Sequence, residues 1–485
     1  MNKNIIGRRQ EINRLQELYK SNKPEFVAVF GRRRVGKTYL VREMLEKEFV
    51  FDLAGLAKGN TGKQLINFSY SLQKVSEEEL AVPTSWLEAF EQLISYLKTC
   101  GKKRKVIFID EISWLDTHKS DFLMALEHFW NGWACSKRDI MLIVCGSATS
   151  WIVNNLINNT GGLYNRVTES IELFPFTLRE TKLFLKSKNI YWSHYQIAEV
   201  YMIMGGIPFY LEKLKAGSSV PQNIDRIFFD KKADLKNEFK RLFDSLFKHS
   251  ENYIKFVQIL AGNRYGLTRK EIIEKAKMKS GNKITTILNN LEYSGFIRLY
   301  SQPTKKSEKK TELIYQLVDS FCLFYFRFLH NNNFRDNKFW TNTVNTSSHN
   351  VWAGLSFEIV CLLHVNEIKK KLEVFGVQSS EYAWRSKNSD PAVQIDLILD
   401  RADNIVNICE IKYANAKYTI TKSEDEKLRE RIEAYRQEIL PQKAIHLLML
   451  TTFGMKQNKY SGIVQNEVTL EDLFAETDNS QGTVI

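Results

Sequence analysis

At 485 residues the chain exceeds what one hydrophobic core organises, so two to four domains are expected. Hydrophobic residues at 44% and charged residues at 26% match a soluble globular protein and exclude a disordered or low-complexity chain. A net charge of +13 and a pI near 9.2 favour an anionic partner, nucleic acid first, although nucleotide-binding proteins also carry basic surface.

The N-terminus lacks the apolar core of a signal peptide, and the stretch Ile5-Ile6-Gly7-Arg8-Arg9 leads into a helix with Ile12, Leu15 and Leu18 on one stripe. Arg8 either lies over a ligand of the motif that follows or is a solvated charge at a helix start. Next, Phe26 to Phe30 reads as a buried strand. It runs into Gly31-Arg32-Arg33-Arg34-Val35-Gly36-Lys37-Thr38-Tyr39, which has the P-loop spacing and precedes an amphipathic helix carrying Leu40, Val41, Met44 and Leu45. The chemistry requires those residue types in that order. Glycines let backbone N–H groups curl around phosphate oxygens, and the helix turns its positive end to the same anion. Lys37 would reach the β- and γ-phosphates, and the Thr38 hydroxyl would hold Mg²⁺. A nucleoside triphosphate is the expected ligand.

Phe49 to Leu53 reads as a second strand, and Trp86 to Leu97 as an amphipathic helix. The strand Val106-Ile107-Phe108-Ile109 ends in Asp110-Glu111, at the carboxyl edge where open α/β sheets place their ligands. Asp110 would hold the Mg²⁺ or its water, and Glu111 would act as general base on the attacking water. The strand Met141 to Cys145 ends in Gly146-Ser147-Ala148-Thr149 and should lie between the other two. Ser147 then either touches the γ-phosphate or the lytic water, or serves as a helix N-cap. Arg166 is either an arginine finger or half of a surface salt bridge.

From Phe176 to His249 the pattern is helical, with no strand-like alternation. A new unit begins near Tyr253. One helix carries Tyr253, Phe256, Val257 and Leu260 inward; Thr268 to Glu271 forms a capping box for a second; a third carries Ile284, Ile287, Leu288 and Leu291. The strands Phe296 to Tyr300 and Leu313 to Leu317 flank a turn with Lys305, Lys306, Lys309 and Lys310, completing a winged helix. Those lysines would meet nucleic-acid phosphates or simply stand in solvent. The third helix has one lysine and no arginine, a poor equipment for reading guanine.

Phe321 to Leu329 is the longest aromatic run; Arg327 interrupts it and it is too short to span a bilayer, so no membrane association is expected and a cytoplasmic location is. Six cysteines without C-x-x-C spacing predict buried free thiols. Thr341 to Asn350 reads as a linker. Then follow a helix (Trp352 to Ile368), the strand Gln394 to Leu399, a tight turn at Arg401 to Asn404, and the strand Ile405 to Lys412. Glu410 and Lys412 project from one face of that strand, and hairpin pairing brings Asp396 near them. Two carboxylates and a lysine around one point suit a Mg²⁺ site acting on phosphate, with Lys412 positioning water or stabilising charge. A helix from Leu428 to Tyr435 and a strand from Ala444 to Leu450 follow.

GRRRVGKT, VIFIDE, LIVCGS, LFPFTLRE and Gly205-Gly206-Ile207-Pro208, in this order, resemble the archaeal-type P-loop ATPases, relatives of the AAA and STAND signalling ATPases that also occur in bacteria. The resemblance implies ATP as the nucleotide, an additional-strand P-loop sheet, a helical lid and a Gly-x-Pro element near the nucleotide. The C-terminal arrangement resembles the PD-(D/E)XK nuclease fold, which implies that Glu358 on the preceding helix joins Asp396 and Glu410 at the metal. No Gln-x-x-x-Tyr follows Lys412, a departure from some relatives.

The expected chain is an α/β multidomain protein. It comprises an ATPase core (1–173), a helical lid (174–249), a winged helix (250–320), a connector (321–350), a nuclease-like domain (351–475) and a tail (476–485). Its function would be Mg²⁺-dependent ATP hydrolysis coupled to a DNA-binding or DNA-cleaving C-terminal module. The alternative is a STAND-like switch acting on a protein partner, its nuclease-like domain inactive. A small-molecule kinase is disfavoured, because Asp110-Glu111 suits water activation.

Overall fold

The computed structural model describes residues 5–279, 281–303, 312–386, 393–439 and 442–476, which fall into two compact units, residues 1–175 and 176–485. Lys305, Lys306, Lys309 and Lys310 lie outside the described residues.

The first unit is built on five parallel strands: β1 (Glu25–Phe30), β2 (Phe49–Ala54), β3 (Lys105–Asp110), β4 (Ile140–Cys145) and β5 (Glu169–Glu172), in the order β2-β3-β4-β1-β5. Every residue of β1 and β4 is buried, as expected for central strands covered on both faces. β4 pairs with β3 on one side and β1 on the other, so the strand ending at Cys145 separates the P-loop strand from the acidic strand. β5 closes the edge beside β1. It escapes a sequence reading because only Ile171 of its four residues is buried. The helices Thr61–Ser76, Trp86–Thr99 and Phe122–Gly132 pack an aromatic core against the sheet, with Trp86 against Phe122 at 4.9 Å and Phe90 against Phe129 at 5.0 Å between ring centroids.

In the second unit, helices fill the segment from Leu178 to Leu246. Gly206 takes φ +67°, and a Cβ there would meet the Phe176 carbonyl oxygen at 2.1 Å; the Phe176 N–H donates back to the Gly206 oxygen at 2.8 Å. Close approach to backbone therefore dictates this glycine, and Pro208 then starts a short helix. The helices Ser250–Ala261, Arg269–Ala276 and Asn282–Tyr293 accompany a small sheet of β6 (Leu267–Thr268), β7 (Ile297–Gln302) and β8 (Glu312–Leu317), ordered β6-β8-β7. The Thr268–Glu271 capping box is present.

A second five-stranded sheet ends the unit: β9 (Ser379–Arg385), β10 (Gln394–Arg401), β11 (Ile405–Lys412), β12 (Ala444–Thr451) and β13 (Asn466–Thr469), ordered β13-β12-β11-β10-β9. β10 and β11 form an antiparallel hairpin with Leu397 opposite Cys409, and β12 runs parallel to β11. The helix Lys422–Ile439 packs Leu428 and Tyr435 into the core of this sheet. The helix expected from Trp352 to Ile368 is two helices, Ser347–Leu363 and Val365–Lys371, bent by 72°. Among the described residues no single helix is long and apolar enough to cross a membrane. All six cysteines are free; Cys145, Cys322, Cys361 and Cys409 are buried, and Cys100 and Cys135 are half-buried.

The stretch Thr341–Asn350 is not a linker. Helices Phe339–Thr343 and Ser347–Leu363 cover both its ends, and buried Asp225 anchors it. The Asp225 carboxylate accepts hydrogen bonds from the Trp340 N–H at 2.6 Å, the Thr341 N–H at 3.1 Å and the Thr341 hydroxyl at 2.5 Å. Polar composition mimics a linker here because these groups serve an internal carboxylate. Asp225→Ala leaves three donors without their acceptor and is expected to destabilise the chain by about 2–3 kcal/mol in denaturant titration. A loss below about 0.5 kcal/mol would contradict this anchoring role.

Candidate functional site

The loop between β1 and the helix Lys37–Leu45 carries the first site. Gly31 has φ +129°, and a Cβ there would sit 2.3 Å from the Leu173 carbonyl oxygen, so only glycine fits. Gly36 has φ +94° with open space where a Cβ would point, and Arg34 shares the left-handed conformation at φ 73°. Such a turn exposes successive N–H groups at the start of a helix, a geometry that suits phosphate. Lys37 is buried, and its Nζ donates to the carbonyl oxygens of Gly31 and Arg32, each at 2.9 Å. Burial draws its pKa below the ordinary lysine value, opposed by the nearby Glu111 and Asp110.

Arg8 belongs to this site as a support. It is buried, takes φ 57°, and its guanidinium donates to the Val35 oxygen at 3.3 Å and the Phe174 oxygen at 2.6 Å. It ties the phosphate loop to the segment after β5, so the reading as a solvated charge is wrong. Tyr39 is half-exposed and Val35 is buried.

The acidic end of β3 meets the loop. Thr38 Oγ1 donates to Asp110 Oδ2 at 2.8 Å, bringing together the two groups assigned to magnesium. Glu111 is held at φ 47°, a strained conformation for a residue with a side chain. Gly55 permits it: a Cβ at Gly55 would lie 2.7 Å from the Glu111 carbonyl oxygen. The Glu111 carboxylate accepts the Ser147 hydroxyl at 3.0 Å and the Ser147 N–H at 3.2 Å. Ser147 is therefore a clamp on Glu111, and the helix that follows has Ala148 at its start, without a side-chain cap. Arg166 is exposed in a turn, and among the described residues its side chain makes no ion pair.

The donor set fits a magnesium nucleoside triphosphate. Lys37 and the turn at Gly36 offer cationic and N–H donors, Thr38 and Asp110 offer hard oxygens, and Arg33 Nη1 is buried without a hydrogen-bond partner among the described residues. Residues 5–214 match the family model of the ATPase domain predominantly from Archaea. This is an archaeal-type ATPase domain. The chain is similar to the uncharacterized protein MJECL04 of Methanocaldococcus jannaschii, at 26% identity over 76% of this chain and 79% of that one. An uncharacterized ATP-binding protein of the same organism, MJ0423, is 37% identical over 44 residues, 9% of this chain and 75% of that one. Among solved structures, the Walker-type ATPase PABY2304 of Pyrococcus abyssi aligns with a TM-score of 0.47 and 18% identity, covering 67% of this chain and 97% of that chain.

The second site lies C-terminal to the ATPase domain, on the β10–β11 hairpin. Lys412 Nζ pairs with Glu410 Oε1 at 2.8 Å, and Arg431 from the helix Lys422–Ile439 takes the other oxygen, Oε2. Burial opposes ionisation of Glu410, but Lys412 and Arg431 together hold its pKa below the ordinary value. Glu358 and Asp396 share a different cation: Arg264 Nη2, from the turn before β6, is 2.8 Å from Asp396 Oδ1 and also pairs with Glu358. Burial and then the neighbouring Asp396 push Glu358 up to about 8, and burial raises Asp396 as well. A cavity of about 150 Å³ beside Glu410 is lined by Lys412, Tyr418, Glu424, Lys427 and Arg431. Among the described residues no group of three or more His, Cys, Asp or Glu stands ready to hold a metal ion. As arranged, Glu358, Asp396 and Glu410 do not fit magnesium, because cationic side chains occupy their oxygens.

Arg264 and Arg431 were not legible as site residues. Arg431 carries a local signal, since it stands four residues before buried Tyr435 on the helix after Lys412, the spacing of Gln-x-x-x-Tyr with arginine in place of glutamine. Arg264 had none, being distant in sequence from both of its carboxylates.

Two measurements follow from the ATPase site. Ser147→Ala frees the Glu111 carboxylate and is expected to lower kcat for ATP about tenfold while KM changes less than about threefold; an unchanged kcat would refute the clamp. Glu172, at the end of β5, is raised by burial to about 7. A raised carboxyl pKa favours the fold while protonated, so this contribution is lost as pH rises from about 4.5 through about 7. Glu172→Gln should flatten the fall in melting temperature across that interval, and an unaltered profile would contradict it.

Proposed function

We propose that this chain hydrolyses ATP with magnesium and couples the state of the nucleotide to a C-terminal module that binds or cuts DNA. The observation that supports it is the convergence of Lys37, Thr38, Asp110 and Glu111 at one end of the sheet, with Ser147 fixing Glu111. The amides of Gly31 to Gly36 and the Lys37 ammonium would bind the β- and γ-phosphates. Thr38 and Asp110 would hold magnesium, which supplies charge neutralisation on the phosphates. Glu111 would orient water and accept its proton as the oxygen approaches phosphorus, and Arg166 is the candidate for the charge that develops there. Residues 174–249 are read as a lid, 250–320 as a winged helix, 321–350 as a connector and 351–475 as a PD-(D/E)XK-like domain.

A second reading has its own support: a STAND-like switch that acts on a protein partner and whose nuclease-like domain does not cleave. The neutralised carboxylates of that domain favour it, since Glu410 is engaged by Lys412 and Arg431.

Turnover tests the first reading. Glu111→Gln should retain ATP binding within about threefold and lose at least about a hundredfold in hydrolysis; hydrolysis at the wild-type rate would remove Glu111 as the base. Incubation with labelled DNA, ATP and Mg²⁺ or Mn²⁺ separates the two. Nicking that disappears in Lys412→Ala while ATPase persists supports a nuclease, and no cleavage by the wild type under any of these conditions supports the switch.

A further inference from the structure

Glu358 and Asp396 meet at one guanidinium, and that guanidinium comes from outside their own sheet. Arg264 sits in the turn between the helix Ser250–Ala261 and β6, whereas Glu358 belongs to the helix Ser347–Leu363 and Asp396 to β10. One nitrogen, Arg264 Nη2, contacts both carboxylates. One nitrogen therefore serves as the counter-charge of two acidic side chains at a single point. We propose that Arg264 is the resident cation of this acidic cluster, and that a divalent ion enters only when the guanidinium leaves. The proposal deepens the nuclease-like reading of residues 351–475 and rests on it for the identity of the cluster.

The turn that presents Arg264 is built for the purpose. The Arg264 carbonyl oxygen accepts a hydrogen bond from Gln316 Nε2 at 2.8 Å, and Gln316 Oε1 in turn accepts from Arg298 Nε at 2.7 Å. The Tyr265 carbonyl oxygen accepts the Tyr300 hydroxyl at 2.6 Å, and the Tyr265 hydroxyl reaches Asp396. Gly266 follows at φ +80°, where a Cβ would lie 2.4 Å from the Tyr315 oxygen. The backbone is thus fixed from behind, so exchange at the cluster has to come from the side chain. Tyr300 and Ile314, flanking this turn in space, are buried in the core that holds Tyr382, Trp384 and Ile395 of the C-terminal sheet. The block carrying Arg264 is therefore packed against the sheet carrying Asp396.

Charge and exposure complete the case. Three acidic side chains (Glu358, Asp396, Glu410) meet three cations (Arg264, Arg431, Lys412), and burial favours the protonated form of Glu358, so the cluster carries no excess negative charge without a metal. Two of those cations stay with Glu410, from its own sheet and the helix packed on it. The third is the one whose departure restores two adjacent free carboxylates. The Arg264 side chain is 35% exposed, while Glu358 and Asp396 are 12% and 17% exposed, so Arg264 covers the carboxylates from the solvent side and can swing outward without crossing the core. Arginine never gives up its proton at working pH, so exchange requires the whole group to move.

The test uses Mn²⁺ binding to the full chain without nucleotide, read by electron paramagnetic resonance. Arg264→Gln is expected to gain one bound Mn²⁺ per chain, at least about tenfold tighter than any ion the wild type holds through Asp396. Adding Asp396→Asn should remove that ion. If Arg264→Gln fails to fold by thermal melting, Arg264→Met keeps the apolar stem without the charge, and it should show the same gain. A wild type that already binds Mn²⁺ through Asp396 as tightly as the variant overturns the proposal. So does a folded variant with no gain. DNA cleavage by the same proteins keeps this separate from the nuclease reading. Arg264→Gln that binds Mn²⁺ but leaves labelled DNA intact defeats the nuclease reading and upholds Arg264 as the resident cation.

Discussion

The hydrogen bond from the Thr38 hydroxyl to Asp110 is the joint on which the ATPase domain turns. It links the helix after β1 to the end of β3, two strands that do not touch because β4 runs between them. Sheet order therefore decides the chemistry. With β4 central and fully buried, the phosphate loop, the acidic pair and Ser147 end at one edge of the sheet. Local strain follows from that convergence: Glu111 is left-handed, and Gly55 and Gly31 are bare where carbonyl oxygens press on them. The strands beneath are apolar, and none of their residues takes a positive φ.

Much of this edge was legible in the sequence. Continuous apolar runs before Gly31 and before Asp110 announce buried parallel strands, and the glycine and lysine spacing announces a phosphate cradle. What stayed hidden were features without periodicity. β5 is short and mostly polar, the Ser147–Glu111 clamp joins residues 36 positions apart, and Arg8 resembles any basic residue at a helix start. The polar stretch around Thr341 was misleading because composition reports polarity and says nothing of the partner, in this instance the Asp225 carboxylate.

The rear of the chain follows a different logic. Hairpin pairing of β10 with β11 and the placement of Glu410 and Lys412 were readable from alternation, since side chains two apart share a face. The cations that decide what the carboxylates can bind were not, because Arg264 and Arg431 arrive from separate elements. A sequence motif states which groups are present; it leaves open whether their charges are already spent on one another. The two sites differ on this point. In the ATPase domain the lysine rests on neutral backbone carbonyls, whereas in the C-terminal cluster Glu358 and Asp396 share Arg264 and Glu410 is held by Lys412 and Arg431.

The central claim is that a turn of exposed amides and a buried ammonium form a seat for a polyphosphate. Equilibrium titration of the full chain with labelled ATP and magnesium, beside a Lys37→Ala variant, tests it most directly. Saturable binding by the wild type that weakens at least about a hundredfold in the variant is the expected result. Equal binding by both proteins, or none by the wild type, would contradict it.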